Sequence, residues 1–281
     1  MIRADVHTHT LYAHGSNTPR EMYEAGKRQG LLVHGFSEHS PRPLGYDYPH
    51  EYREKLAAHF KDYVREVREI AAEAALEGKE NVLLGLEMDW LEDELPFQKQ
   101  ILSDEHFEYV IGGIHFLGTW GFDASASDWE QLSTAQKEDC YARYYATMRN
   151  MAESGLFDIV AHPDLIKIFS VREFHAWLNK SGSMDMVRGA LRAARDAGMA
   201  MEISSAGLRK PCREIYPCEE IVKAAAELHL PVSFGSDGHC VNTIATGFAE
   251  LARHASAAGY TESVIFHRRE NGSREIRSLP F

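Results

Sequence analysis

The apolar positions of this chain change period in a repeating way. Runs of four to seven apolar, largely β-branched residues alternate with longer stretches in which apolar residues recur every three to four positions. The first pattern fits buried strands and the second fits helices with one covered face, so the alternation predicts βα units around a parallel sheet. Strands are expected at residues 2–6, 31–37, 82–86, 109–114, 158–161, 199–203 and 232–235, with a further short one at 263–267. Helices are expected at 19–28, 51–77, 133–153, 184–197, 219–228 and 247–257. Thr18 followed by Pro19 reads as an N-cap with proline at the first helical position, and Ser133 or Thr134 opens the helix that carries Gln136. Gly30, Gly78, Gly155 and Gly198 follow helices as stop signals. Two segments interrupt the rhythm, 117–128 with its Gly and Ser, and 41–49 with its Pro, Gly and Asp. Both are expected as surface excursions beside strand ends. No internal repeat, low-complexity tract or long linker divides the sequence, so residues 1–281 are expected to form a single domain.

Composition narrows the partners. With 44% hydrophobic residues the chain can bury a sizeable core, and 30 Lys+Arg against 42 Asp+Glu give a net charge of −12. That balance repels a phosphodiester polyanion, so no nucleic-acid partner is expected. No apolar run approaches the ~20 residues that span a bilayer. Charges in residues 1–5 occupy the place where a signal peptide needs its apolar core, so the expected location is the cytoplasm, with no membrane contact. Cys140, Cys212, Cys218 and Cys240 form no CxxC pair and are expected to be free thiols.

Candidate chemistry comes from where the fifteen histidines fall. In a parallel barrel the C-terminal strand ends converge on one face, and nearly every expected strand here ends in a residue that can bind metal. The first runs into Asp5, His7 and His9, which two-residue alternation places on one side. His14 follows in the next loop; later strands end at His39, Glu87, His115, His162, and Asp237 with His239. These seven histidines and two carboxylates exceed what one ion can use, so two or three divalent ions are expected. Imidazole and carboxylate without thiolate suit Zn, Mn, Fe or Co. The histidines at 34, 50, 59, 106, 175, 229, 254 and 267 lie mid-strand, on helices or in other loops and are expected to be ordinary packing or surface residues. Asp5 is expected to orient a ligand imidazole by accepting its second N–H, and Asp164 to do likewise or to cap a helix.

The set Asp5-x-His7-x-His9, His14, Glu38-His39-Ser40-Pro41, Glu87, Gly113-x-His115, His162-Pro163-Asp164 and Ser236-Asp237-x-His239 runs in order from residue 2 to about residue 250. It resembles the PHP (polymerase and histidinol phosphatase) superfamily. The resemblance implies an α/β fold, a distorted TIM-like (β/α)7 barrel with a trinuclear metal site at the C-terminal strand ends. It implies one ion on His7, His9, Glu87 and Asp237, a second on Glu87, His115 and His162, and a third on His14, His39 and His239, with Glu87 bridging the first two. Within the superfamily, Glu38 to Pro41 and the stretch from Glu202 through Arg209 and Lys210 to Pro217 are similar to the monofunctional histidinol-phosphate phosphatases. The sequence departs from that pattern with Ser204-Ser205-Ala206 where Asn-Thr-Ser is frequent and Gly238 where Ala is frequent, leaving the ligand positions intact.

That resemblance implies a phosphoric monoester hydrolase that releases phosphate from L-histidinol phosphate in histidine biosynthesis, through in-line attack by a water activated between the metals. Arg209 and Lys210 are expected to clamp the phosphoryl oxygens and Ser40 to lie beside the substrate, while Asp237 and His239 contribute to catalysis. Asp47, Glu92 and Asp93 are, by position, candidate rim carboxylates for the substrate's ammonium and imidazole. The alternatives are hydrolysis of another small phosphate ester or of nucleic-acid phosphodiesters, and a metal-binding module without catalysis.

Overall fold

The computed structural model describes residues 1–48, 53–79, 81–269 and 272–281. In chain order the elements are β1 (Ala4–Asp5), α1 (Pro19–Arg28), β2 (Val33–Phe36), α2 (Arg53–Leu76), β3 (Val82–Asp89), α3 (Leu95–Asp104) and β4 (Tyr109–Gly113). A small hairpin of β5 (Phe116–Leu117) and β6 (Trp120–Gly121) follows, then α4 (Ala126–Glu130), α5 (Thr134–Glu153), β7 (Ile159–Val160), α6 (Val171–Leu178), α7 (Ser183–Asp196) and β8 (Ala200–Ser204). The chain ends with α8 (Glu219–Glu227), β9 (Val232–Gly235), α9 (Phe248–Ala257), β10 (Glu262–Arg268) and β11 (Arg274–Pro280).

Seven strands pair in parallel in the order β1-β2-β3-β4-β7-β8-β9. The Val6 N–H donates to the Phe234 carbonyl at 3.2 Å and the His9 N–H to the Gly238 carbonyl at 2.9 Å, which brings β9 back against the chain after β1. The result is the distorted TIM-like barrel, with helices outside and a packed interior. Local sequence explains the helix starts: Thr18 and Glu21 complete a reciprocal capping box on α1, as Ser133 and Gln136 do on α5.

Ala4, Val6, Val33, Leu83, Ile111, Ile159 and Ala200 fill the barrel, and Val264, Ile265 and Phe266 of β10 pack against them from below. Tyr109 lies among them, its hydroxyl donating towards the carbonyls of Val6 at 2.7 Å and Phe36 at 3.0 Å. Gly35 and Gly85 leave it that room: a Cβ on Gly85 would stand 2.2 Å from the Tyr109 Cζ, and one on Gly35 2.4 Å from its hydroxyl.

Several expectations change. The segment 263–267 is a strand, but it pairs antiparallel with β11 and closes the bottom of the barrel instead of joining its wall. Residues 117–128 run along the surface as expected, but they are anchored: Leu117 and Phe122 are buried and the Trp129 indole donates to the Phe122 carbonyl at 2.7 Å. Gly118 and Gly121 mark a tight β5/β6 hairpin. In 41–48, Arg42 and Tyr46 are buried; Pro49, His50 and the expected helix start at Glu51 lie outside the described residues. α3 and α6 went unexpected; α3 buries only Gln98 and Ile101, so it shows little apolar periodicity, and α6 spans just 8 residues. Among the described residues no helix is long and apolar enough to cross a membrane, and all four cysteines are free.

Candidate metal centre

The strand exits converge as barrel topology requires. His7 and His9 leave β1 with their Nε2 atoms 3.1 Å apart. Behind them, His7 Nδ1 meets Glu202 Oε1 at 2.7 Å and His9 Nδ1 meets Glu38 Oε1 at 3.1 Å, so each Nδ1 proton has a carboxylate to receive it. Glu38 is itself fixed, its Oε2 accepting from the Thr10 N–H at 2.8 Å and the Thr10 hydroxyl at 2.5 Å. With the protons on Nδ1, both Nε2 lone pairs point at one another. They also point at Glu87, whose Oε2 lies 3.3 Å from each. Lone pairs and an anion that close repel unless positive charge sits among them.

Glu87 is the hub. Its Oε2 is 3.0 Å from His39 Nδ1, and its Oε1 is 3.1 Å from His162 Nε2 and 3.7 Å from His115 Nε2. Asp237 Oδ1 stands 3.3 Å from His9 Nε2, 3.9 Å from His7 Nε2 and 3.4 Å from His239 Nδ1. The His14 ring lies 4.1 Å from that of His239 and 5.0 Å from that of His39, centroid to centroid. His162 and Asp237 both hold positive φ, 21° and 50°, a strained backbone at the points where β7 and β9 turn their side chains inward.

The electrostatics agree with a site made for cations. Burial pushes the His7 and His9 imidazoles down, but Glu202 and Glu87 around the first, and Asp237, Glu38 and Glu87 around the second, outweigh it and hold both well above the usual range. Burial opposes ionisation of Glu87, yet the surrounding imidazoles keep its carboxyl well below the ordinary range. His239 is pushed the other way, to about 3, by burial and then by His9. His162 Nδ1 and His239 Nε2 are buried nitrogens without a hydrogen-bond partner in the protein. Three groups, His7/His9/Asp237, His7/Glu87/His162 and His9/His39/His239, each bring their ligand atoms within 4.8 Å of one another. The donor set fits divalent metal ions: the inward lone pairs of His7, His9 and His115 converge while their opposite nitrogens are committed to Glu202, Glu38 and Asp89.

Other residues fall differently from expectation. The Asp5 carboxylate takes no imidazole proton; it accepts the Ser236 N–H at 2.9 Å and the Ala245 N–H at 3.1 Å and ties the loop after β9 to β1. Glu202 and Glu38 orient the imidazoles instead. Asp164 accepts the Cys218 N–H at 2.8 Å and meets Lys167 Nζ at 2.7 Å, and it makes no side-chain cap on the short turn that follows. Arg209 turns from the cavity to the backbone, donating to the Ser236 carbonyl at 2.5 Å, the Asp237 carbonyl at 3.1 Å and the Thr246 hydroxyl at 3.1 Å. It holds the loop that carries Asp237. Ser40 is buried, its N–H donating to the Glu87 carbonyl at 2.8 Å, and it does not line the cavity.

Above the cluster opens a cavity of about 470 Å³. Its floor is His14, His39, Glu87, His115, His162, Asp237 and His239; Lys210, Arg42, Asp123, Tyr48 and Ser125 stand on its walls. None of Asp47, Glu92 and Asp93 reaches it, whereas Asp123, which sequence reasoning passed over, does and accepts from the Tyr48 hydroxyl at 2.8 Å. Asp89 was also missed. It grips His115 Nδ1 at 2.5 Å and Arg42 Nε at 2.5 Å, and although burial opposes it, its carboxylate lifts His115 to about 9. The repeat Glu87-x-Asp89 on β3 mirrors His7-x-His9 and was the signal for it.

A parallel seven-stranded barrel with imidazoles and carboxylates gathered at its C-terminal rim defines a class, the barrels that can hold several metal ions at one mouth. The PHP domain model matches residues 5–206. A probable histidinol-phosphatase of Deinococcus radiodurans is 34% identical over 94% of this chain and 97% of its own length, and one of Schizosaccharomyces pombe is 20% identical over 98% and 92%. The histidinol phosphate phosphatase of Lactococcus lactis, solved with zinc, L-histidinol and phosphate, superposes with a TM-score of 0.75 at 19% identity, covering 94% of this chain and 97% of that one. HisK of Listeria monocytogenes gives a TM-score of 0.79 at 23% identity over 88% and 99%. The chain belongs to the PHP domain family, on the branch of the histidinol-phosphatases.

Proposed function

We propose that this protein is a metal-dependent phosphomonoesterase that hydrolyses L-histidinol phosphate to L-histidinol and phosphate, the step it would serve in histidine biosynthesis in the cytoplasm. Residues 1–281 act as a single domain in this reading. Its support is the pairing of a cation-seeking floor around Glu87 with a wall that carries both a cation, Lys210, and an anion, Asp123. A phosphate dianion needs Lys210 and positive charge on the floor, while the ammonium and imidazole of histidinol need Asp123. The 34% identical relative carries the same activity in its name.

The ions, two or three of Zn, Mn, Fe or Co, would be held by His7, His9, His14, His39, Glu87, His115, His162, Asp237 and His239. Divalent cations bound there supply charge to the phosphoryl oxygens and lower the pKa of water. Glu202, Glu38 and Asp89 keep the ligand imidazoles in the tautomer that leaves the inward nitrogen free. Lys210 binds a phosphoryl oxygen from the wall. The Asp237 carboxylate, ionised in spite of its burial, would take the proton of the attacking water as the new bond to phosphorus forms and return it to the histidinol oxygen as the ester bond breaks, while Arg209 holds the backbone carbonyl of Asp237. Asp123 receives the substrate's positive end and so sets which phosphate ester fits.

The deciding experiment measures phosphate release from L-histidinol phosphate by the purified protein, with and without added Mn2+, with a chelator, and for His9→Ala. Turnover lost on chelation and in the variant is the expected result. Turnover of generic phosphomonoesters alone would keep the chemistry and discard the substrate. Bound metal with no turnover of any phosphoester would discard the reading.

A further inference from the structure

On the outer side of the barrel, between α6 and the start of α8, a depression of about 410 Å³ gathers three metal-type donors that the proposed phosphatase chemistry does not use. We infer that His175, Cys218 and Glu220 form a second, separate site for a divalent transition metal such as zinc.

His175 comes from α6, Cys218 is the residue before α8, and Glu220 lies in the first turn of α8. Their ligand atoms all fall within 4.8 Å of one another. Ligand distances of about 2.0–2.3 Å around a tetrahedral ion put donors roughly 3.3–3.7 Å apart, so rotamer adjustments of about an ångström complete the set. The orientation of His175 carries the argument further. Its Nε2 faces both oxygens of Glu214, at 3.1 Å and 3.0 Å, so the N–H points there and the Nδ1 lone pair is turned towards Glu220 Oε1, 3.9 Å away. A histidine whose far nitrogen donates to a carboxylate while the near one faces further donors is the arrangement by which proteins present imidazole to a metal. The metal centre at the barrel mouth uses it three times, through Glu202, Glu38 and Asp89.

The donor chemistry differs from that of the barrel mouth. Cys218 supplies a thiol, which the nine ligands of the mouth lack, and a Cys/His/carboxylate triad selects zinc-like ions over magnesium or calcium. Burial, and then Asp164, hold the Cys218 thiol protonated while no metal is bound. Coordination reverses that: the sulfur binds as thiolate and its proton leaves to solvent. Opposing charges nearby are spoken for. Lys167 is paired with Asp164 at 2.7 Å and Glu214 at 3.1 Å, and Arg213 donates to the Leu208 carbonyl at 3.3 Å. The positive end of α8 disfavours a cation, and the thiolate with Glu220 and Glu214 outweighs it. The three protein donors leave a fourth position open to the depression.

The test needs no substrate and stands whether or not the phosphatase reading holds. Full-length protein stripped by chelator is titrated with Co2+, reading the near-ultraviolet thiolate-to-cobalt charge-transfer band together with bound metal per chain. Wild type and Cys240→Ser should both show the band, since Cys240 lies at the other site beside His239. Cys218→Ser and His175→Ala should lose the band and bind one equivalent less, and Zn2+ should displace it in wild type. His175 is half-buried and Glu220 exposed, so His175→Ala and Glu220→Gln cover the case in which Cys218→Ser fails to fold. No thiolate band in wild type, or a band that survives both Cys218→Ser and His175→Ala, overturns the site.

Discussion

The two ends of the barrel are built from the same strands and solve opposite problems. At the base, buried charge meets permanent charge: the Asp158 carboxylate accepts the Val110 N–H at 2.8 Å and pairs with Arg274 at 2.9 Å and Arg268 at 3.3 Å. At the mouth, Glu87 meets imidazoles, which are cations only when protonated or bound to metal. The base is complete with protein alone. The mouth gathers donors that suit metal ions, and its imidazoles are held in place by carboxylates farther out. Stability and chemistry are therefore divided along the strand axis, as the barrel fold allows.

The sharpest way to break that division is at the base. Phe266→Ala should cost about 3–5 kcal/mol of stability by opening a cavity under the barrel, read as a lower denaturation midpoint. Metal content and activity per folded molecule should stay unchanged; a loss of bound metal would show that the two ends are coupled. Next in size is Glu202→Gln, which weakens the grip on His7 Nδ1 and on the His162 N–H, 2.7 Å from Glu202 Oε2. Metal affinity or activity should fall by ~10–100-fold with the melting temperature of the chelated protein little changed, measured by metal-buffer titration and calorimetry. Unaltered affinity would remove Glu202 from the machinery.

The smallest effect is a pH dependence of the chelated protein. Asp89 holds His115 up at about 9 against an ordinary 6.5, so its protonation stabilises the fold fully below about 6.5, and the contribution is lost as the pH rises through about 9. The melting temperature of chelated wild type should fall across that window, and Asp89→Asn should flatten the slope. An Asp89→Asn slope equal to wild type would assign the titration elsewhere.

Much of this was legible in the sequence because strand exits and two-residue alternation are local properties. The convergence of His7, His9, Glu87 and Asp237 follows from their place at parallel strand ends, and the start of α1 was marked to the residue by Thr18 and Pro19. What could not be read is which carboxylate stands behind which imidazole. Asp5 sits two residues from His7 and takes backbone N–H groups, whereas Glu202, 195 positions away, takes its ring proton. Sequence proximity carries no information on that choice. Arg209 illustrates the same limit: its loop was placed by the motif, but only the packed fold reveals that its guanidinium is consumed by the carbonyls of Ser236 and Asp237. His175 was expected to be an ordinary packing or surface residue, because its partners come from α8 and the loop before it.

The room that Gly35 and Gly85 leave for Tyr109 makes three distant positions inherit as one. A side chain at either glycine is excluded while the tyrosine stands between them, and a smaller residue at 109 leaves a void that the glycines cannot fill. No single step out of this arrangement is neutral. Lineages descending from this sequence are therefore expected to keep all three residues or to exchange them together, so that the barrel's interior evolves in jumps while its surface drifts.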